Sequence, residues 1–86
     1  MASPLRAVTG IQLIKLLIKD GWIVKRRTNH EVSLAKKFNN RVRVTIIPTK
    51  KNQSLPSGTL GSILGPKQTN IGREGLRNLI NKYGIK

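Results

Sequence analysis

The only histidine in the chain, His30, lies in the stretch from Trp22 to Lys51. That stretch holds nine of the seventeen basic residues, Lys25, Arg26, Arg27, Lys36, Lys37, Arg41, Arg43, Lys50 and Lys51, against the single acid Glu31. An unpaired ion loses several kcal/mol of hydration on burial, so this concentration has to be a solvated surface open to polyanions. Histidine titrates near neutrality, and beside such a surface it is suited to moving protons in phosphodiester chemistry. RNA can be cut without a metal, because its own 2′-hydroxyl attacks the adjacent phosphorus. The catalyst removes that proton, stabilises charge on the phosphorane-like transition state and protonates the leaving oxygen. His30 is the candidate base. Lys25, Arg27, Lys36, Arg43 and Lys50 are the cations expected to meet RNA, with Arg favoured for bidentate phosphate contacts. The bland alternatives are a turn histidine without chemistry and a strand face that is simply solvated.

Other chemistries find little support. Asp20, Glu31 and Glu74 are the only acids and are scattered, whereas a two-metal nuclease needs clustered carboxylates. The absence of cysteine removes disulfides, thiolate metal sites and cysteine nucleophiles together. Ser57-Gly58-Thr59-Leu60-Gly61 lacks the glycine–lysine spacing of a phosphate loop. No metal and no cofactor are therefore expected. With Trp22, Phe38 and Tyr83 as the only aromatics, a continuous base-stacking track is poorly supported, and Trp22 reads as a core anchor.

A net charge of +14 on 86 residues makes nucleic acid the leading partner class, followed by an acidic protein or a membrane surface. A chain of this size buries roughly 60% of the surface its unfolded form exposes, which leaves little room for a large internal cavity. The most apolar run, Ile11 to Ile18, is interrupted by Gln12 and Lys15 and is shorter than the ~20 residues of a membrane span. Its polar stripe is too thin for a membrane-surface helix. Neither anchor nor signal peptide is expected, and a cytoplasmic location fits.

These residues must be positioned by a small set of elements. Residues 1–8 read as a leader, and residues 9–86 as one domain. Thr9 and Gln12 form a capping box for a helix that runs to about Asp20, with Gly21 as its stop. Apolar residues cover most of this helix's circumference, so protein should wrap it on more than one side, under a second helix or against a partner chain. Trp22–Thr28, His30–Lys36 and Arg41–Ile47 read as strands joined by turns at Thr28-Asn29 and Asn39-Asn40. In the second, His30 shares a face with Val32 and Leu34. In the third, Val42, Val44 and Ile46 are expected to face the core, leaving Arg41, Arg43 and Thr45 on the open face. A second helix opens at Ser57 or Gly58 and stops at Gly65-Pro66. A third runs to Tyr83, with Leu76, Leu79, Ile80 and Tyr83 at core spacing.

Five blocks taken together carry a resemblance: Leu13-Ile14-Lys15-Leu16-Leu17, Asp20-Gly21-Trp22, Thr28-Asn29-His30, Val44-Thr45-Ile46-Ile47-Pro48, and Leu55 through Thr59-Leu60-Gly61-Ser62-Ile63-Leu64. In order and spacing, over roughly residues 9–65, the chain resembles the HicA family of toxins from prokaryotic toxin–antitoxin systems. The resemblance implies an α+β fold similar to double-stranded-RNA-binding domains, α-β-β-β-α with a three-stranded antiparallel sheet. It implies an endoribonuclease acting on messenger RNA, with the catalytic histidine at the start of the second strand matching His30. It also implies neutralisation by a HicB-like acidic antitoxin. Arg27-Thr28 stands where family members usually carry a Gly-Ser pair, and the helix over residues 73–83 is an addition. The alternative from another class is a non-catalytic RNA-binding module on the same fold; a basic DNA-associated protein is a third.

Overall fold

The computed structural model describes residues 7–49 and 53–84. Most of the expected leader, and Lys50 and Lys51, lie outside the described residues. The elements run α1 (Gly10–Lys19), β1 (Ile23–Arg27), β2 (Glu31–Phe38), β3 (Arg41–Pro48), α2 (Ser57–Leu64) and α3 (Gly72–Tyr83). This is the expected α-β-β-β-α order with a further C-terminal helix, and the sheet is antiparallel in the order β1-β2-β3.

Both ends of α1 are closed by the residues that announce them. Thr9 Oγ1 accepts from the Gln12 amide while the Gln12 side chain accepts from the Thr9 amide, so two otherwise orphaned donors are satisfied reciprocally. At the other end Gly21 takes φ +101°. The Gly21 amide then donates to the Ile18 carbonyl and the Trp22 amide to that of Leu17, the Schellman pattern. This bend brings Trp22, 2% exposed, into the same buried cluster as Leu13 and Leu17. Lys36 crosses from β2 to the same helix end, its Nζ 2.7 Å from the Asp20 carbonyl oxygen and 3.4 Å from Asp20 Oδ2.

The helices cover one face of the sheet. α1 and α2 lie against β3, and α3 packs on α1 and α2. Val32, Leu34 and Ile47 point from the sheet into a core shared with Leu13, Leu17, Ile63 and Leu76. The added helix is thus integral to the core: Leu76 and Leu79 are buried, and Tyr83 Oη donates to the Lys19 carbonyl at 3.2 Å. Before α1, Val8, the last residue of the expected leader, is buried, and its carbonyl accepts from the Leu55 amide.

The faces of β3 are the reverse of the alternation expected from the sequence. Val42, Val44 and Ile46 are 63%, 48% and 50% exposed on the open face, while Thr45 and Ile47 are buried. The register explains it: Ile47 lies opposite Val32 and Thr45 opposite Leu34, so β3 follows the apolar face of β2 rather than its own three aliphatics. Thr45 can be buried because its Oγ1 donates to Gln68 Oε1 at 2.7 Å. That oxygen also accepts from the Ile46 amide, and Arg43 Nη1 donates to the carbonyls of Pro66 and Gln68. The α2–α3 loop therefore covers part of the outer edge of β3, a place where unpaired strand groups otherwise invite other chains.

Gly10 sits where α1 meets the end of β3, and a Cβ there would overlap the backbone carbonyl of Pro48. Gly10→Ala should destabilise the fold by about 2 kcal/mol, the overlap outweighing the gain in helix propensity; a urea midpoint equal to or above that of the parent protein would refute this packing.

Candidate functional site

The connection between β1 and β2 is a three-residue turn, Thr28-Asn29-His30, organised by one hydroxyl. Thr28 Oγ1 accepts from the amides of His30 (3.2 Å) and Glu31 (3.1 Å), and the Thr28 amide donates to the Glu31 carbonyl at 2.9 Å. From the far side, the Thr49 amide donates to the His30 carbonyl at 2.9 Å. The backbone of His30 is thus held through both its N–H and its C=O while the residue remains exposed. Strand alternation alone predicts His30 inside the strand, at a core edge beside Val32. In the structure β2 begins at Glu31, and His30 stands in the turn and projects into solvent.

Beside this turn runs a groove of about 330 Å³ between α1 and the sheet. Ile14 and Val32, both buried, form its base, and Ile11 and Ile18, 49% and 44% exposed, stand at its sides. Lys15 and Arg27 add two cations, and Thr28 and Thr49, the residues that hold the His30 backbone, complete it. Arg27 reaches this position because β1 carries a bulge at Lys25. Val24 lies opposite Leu34 but Arg26 opposite Ser33, so the extra residue turns Arg26 to the open face and Arg27 toward the α1 side, opposite Val32.

The cations named from the sequence are not gathered at one place. Arg27 lines the groove next to His30, and Lys25 is exposed at the bulge. Lys36 lies five residues along β2 from Glu31, ~17 Å at the usual strand rise, and its ammonium is engaged by Asp20. Arg43 is opposite Lys36 on β3 and is anchored by loop carbonyls. Lys50 lies outside the described residues. Lys15, which helix periodicity alone puts on the polar stripe of α1, shares one helix face with Ile11 and Ile18, and the two uncovered isoleucines are the signal for its place in the groove.

Among the described residues, no group of three or more His, Cys, Asp or Glu residues could hold a metal ion. No helix among them is long and apolar enough to cross a membrane.

This arrangement, a backbone-anchored exposed histidine beside a cationic groove on an α-β-β-β-α frame, is accompanied by a direct sequence relationship. The family model described as HicA toxin of bacterial toxin-antitoxin matches residues 10–71, from the start of α1 to the residue before α3. No curated protein and no solved structure matches the chain. Since the matched segment is well over half of the chain, the protein belongs to the HicA toxin family, whose members are toxins of toxin–antitoxin systems and imply a cognate antitoxin.

Proposed function

We propose that the protein is a metal-independent endoribonuclease that cuts messenger RNA, with His30 as the general base. The observation that carries this reading is the immobilised backbone of His30 beside the groove that holds Lys15 and Arg27. The imidazole takes the proton of a 2′-hydroxyl, and the freed oxygen attacks the adjacent phosphorus. The P–O5′ bond breaks, O5′ takes a proton from solvent water, and the products end in a 2′,3′-cyclic phosphate and a 5′-hydroxyl. Lys15 and Arg27 stabilise the charge that builds on the non-bridging oxygens, and Lys25 meets the backbone further along. Lys36 and Arg43, tied to Asp20 and to the α2–α3 loop, contribute away from the scissile bond. The antitoxin implied by the family is, in this reading, an acidic HicB-like protein that masks the basic surface, consistent with the net charge of +14.

His30→Ala should lower cleavage of a mixed-sequence RNA in EDTA by about 100- to 10,000-fold while RNA binding stays within a factor of two. Equal cutting by both proteins would remove His30 from the reaction. If neither protein cuts and both bind RNA with a steep salt dependence, the fold serves as a non-catalytic RNA-binding module.

Thr28 is a positioning residue in this scheme. Thr28→Ala should reduce kcat about tenfold with KM nearly constant and speed hydrogen exchange at the His30 and Glu31 amides, and Thr28→Ser should restore both. A variant that exchanges faster but cuts at the parental rate would separate the turn from the chemistry.

A further inference from the structure

A second cleft, of about 520 Å³, opens at the end of the sheet opposite His30. It forms because β3 is inverted relative to its aliphatic pattern. Arg41 and Arg43, two residues apart and so on one face of the strand, point to the helix side and meet the segment 69–71 that leads into α3. Phe38 forms another part of the wall, with Asn70 in the left-handed conformation at φ +56°.

We propose that this cleft is a second nucleotide-binding site, taking a phosphate and its adjoining base from the same single-stranded RNA that reaches His30. The inference rests on the reading of the protein as RNA-binding. Arg43 is already oriented: Nη1 is held at 2.8 Å by the Pro66 carbonyl and at 3.3 Å by that of Gln68, leaving Nε and Nη2 to donate to a phosphate at little further cost in side-chain entropy. Arg41 is exposed and adds a second guanidinium. The one carboxylate in the wall among the described residues, Asp20, is ion-paired with Lys36 at 3.4 Å, so the two guanidinium groups set the sign of the cleft. Phe38 is 36% exposed; its ring meets Trp22 in a T-shaped arrangement with centroids 6.1 Å apart and carries Lys36 Nζ 5.1 Å from its centroid, so its exposed part offers a base an apolar contact beside a cation. Side-chain amides of Asn39, Asn40 and Asn70 supply donors and acceptors for a base edge. From Glu31 to Phe38 the strand spans ~23 Å, so an RNA of several nucleotides is needed to engage both ends, and such a strand gains from the linked second contact.

The test uses the His30→Ala protein, so that RNA survives, and oligoribonucleotides of about 4 and about 16 nucleotides titrated over a range of salt. Adding Arg41→Gln should weaken binding of the longer RNA about tenfold, bring its affinity toward that of the shorter one and flatten the log–log salt slope by about 0.7, the loss of one phosphate contact on single-stranded nucleic acid. Arg41→Lys should keep the slope and recover part of the affinity. With His30 present, Arg41→Gln should raise KM for the longer RNA and leave kcat unchanged. Unchanged affinity and slope in Arg41→Gln, at a parental melting temperature, would overturn the proposal. So would an Arg41-dependent affinity for poly-glutamate combined with indifference to RNA, which would assign the cleft to an acidic protein. If the parent protein does not cut RNA yet Arg41→Gln still flattens the slope, the cleft stands and the nuclease reading falls.

Discussion

The close approach of Gly10 to the Pro48 carbonyl sets the geometry on which the rest of the molecule depends. It lets the start of α1 lie directly on the end of β3, where any side chain would hold the two apart. Three further links converge there: Val8 bonds to Leu55, Thr9 bridges to Ser54, and the Thr49 amide, one residue past Pro48, holds the His30 carbonyl. The depth of the groove between Ile11, Ile18 and the β1–β2 turn follows from this contact, because α1 forms one wall and the strand ends form the other. A glycine that looks like a minor helix weakness is in this way coupled to the position of the candidate base.

Charge imposes the second constraint. With +14 on 86 residues, the chain has to place nearly every cation at a rim or tie it to oxygen. Lys36 closes the α1 C-terminus through the Asp20 carbonyl, and Arg43 clasps the carbonyls of Pro66 and Gln68. Both use backbone oxygens that a helix end or a loop would otherwise leave to water. Among the described residues, the cations that remain unattached near His30, Lys15 and Arg27, are exposed, and they stand beside aliphatic side chains rather than carboxylates. That difference in partners divides structural from available charge better than position in the sequence does.

Local signals in the sequence were legible wherever one element decides its own form. The capping box of Thr9 and Gln12, the glycine stop at Gly21, and the apolar spacing of Leu76, Leu79 and Tyr83 all act within a few residues, and each stands where expected. The faces of β3 were not legible, because the deciding information lies elsewhere in the chain. Alternation of Val42, Val44 and Ile46 argues for one orientation, but pairing with Val32 and Leu34 across the Asn39-Asn40 turn enforces the other. The polar residues turned inward are then satisfied by Gln68 and Pro66, more than twenty residues away. The bulge at Lys25 is hidden for a similar reason, since no glycine or proline marks it. His30 was identified by type and by its cationic surroundings, but its exposure depends on the turn that Thr28 builds, and that turn ends one residue later than the strand pattern suggests.

The helix beyond the family match then acquires a physical explanation. A small sheet with only two short helices on it has little apolar surface to bury, and the open face of this one already exposes Ile23, Val42, Val44 and Ile46. α3 adds Leu76 and Leu79 to the core and closes over α1 and α2, with Tyr83 reaching the Lys19 carbonyl. To reach that place the chain has to pass the end of the sheet, through Gln68, buried Thr69 and Asn70, and in passing it covers the β3 edge and forms a wall beside Arg41 and Arg43. The same connection that lets an extra helix stabilise the core therefore creates the second basic cleft, so that α3 shapes the surface without supplying most of its charge.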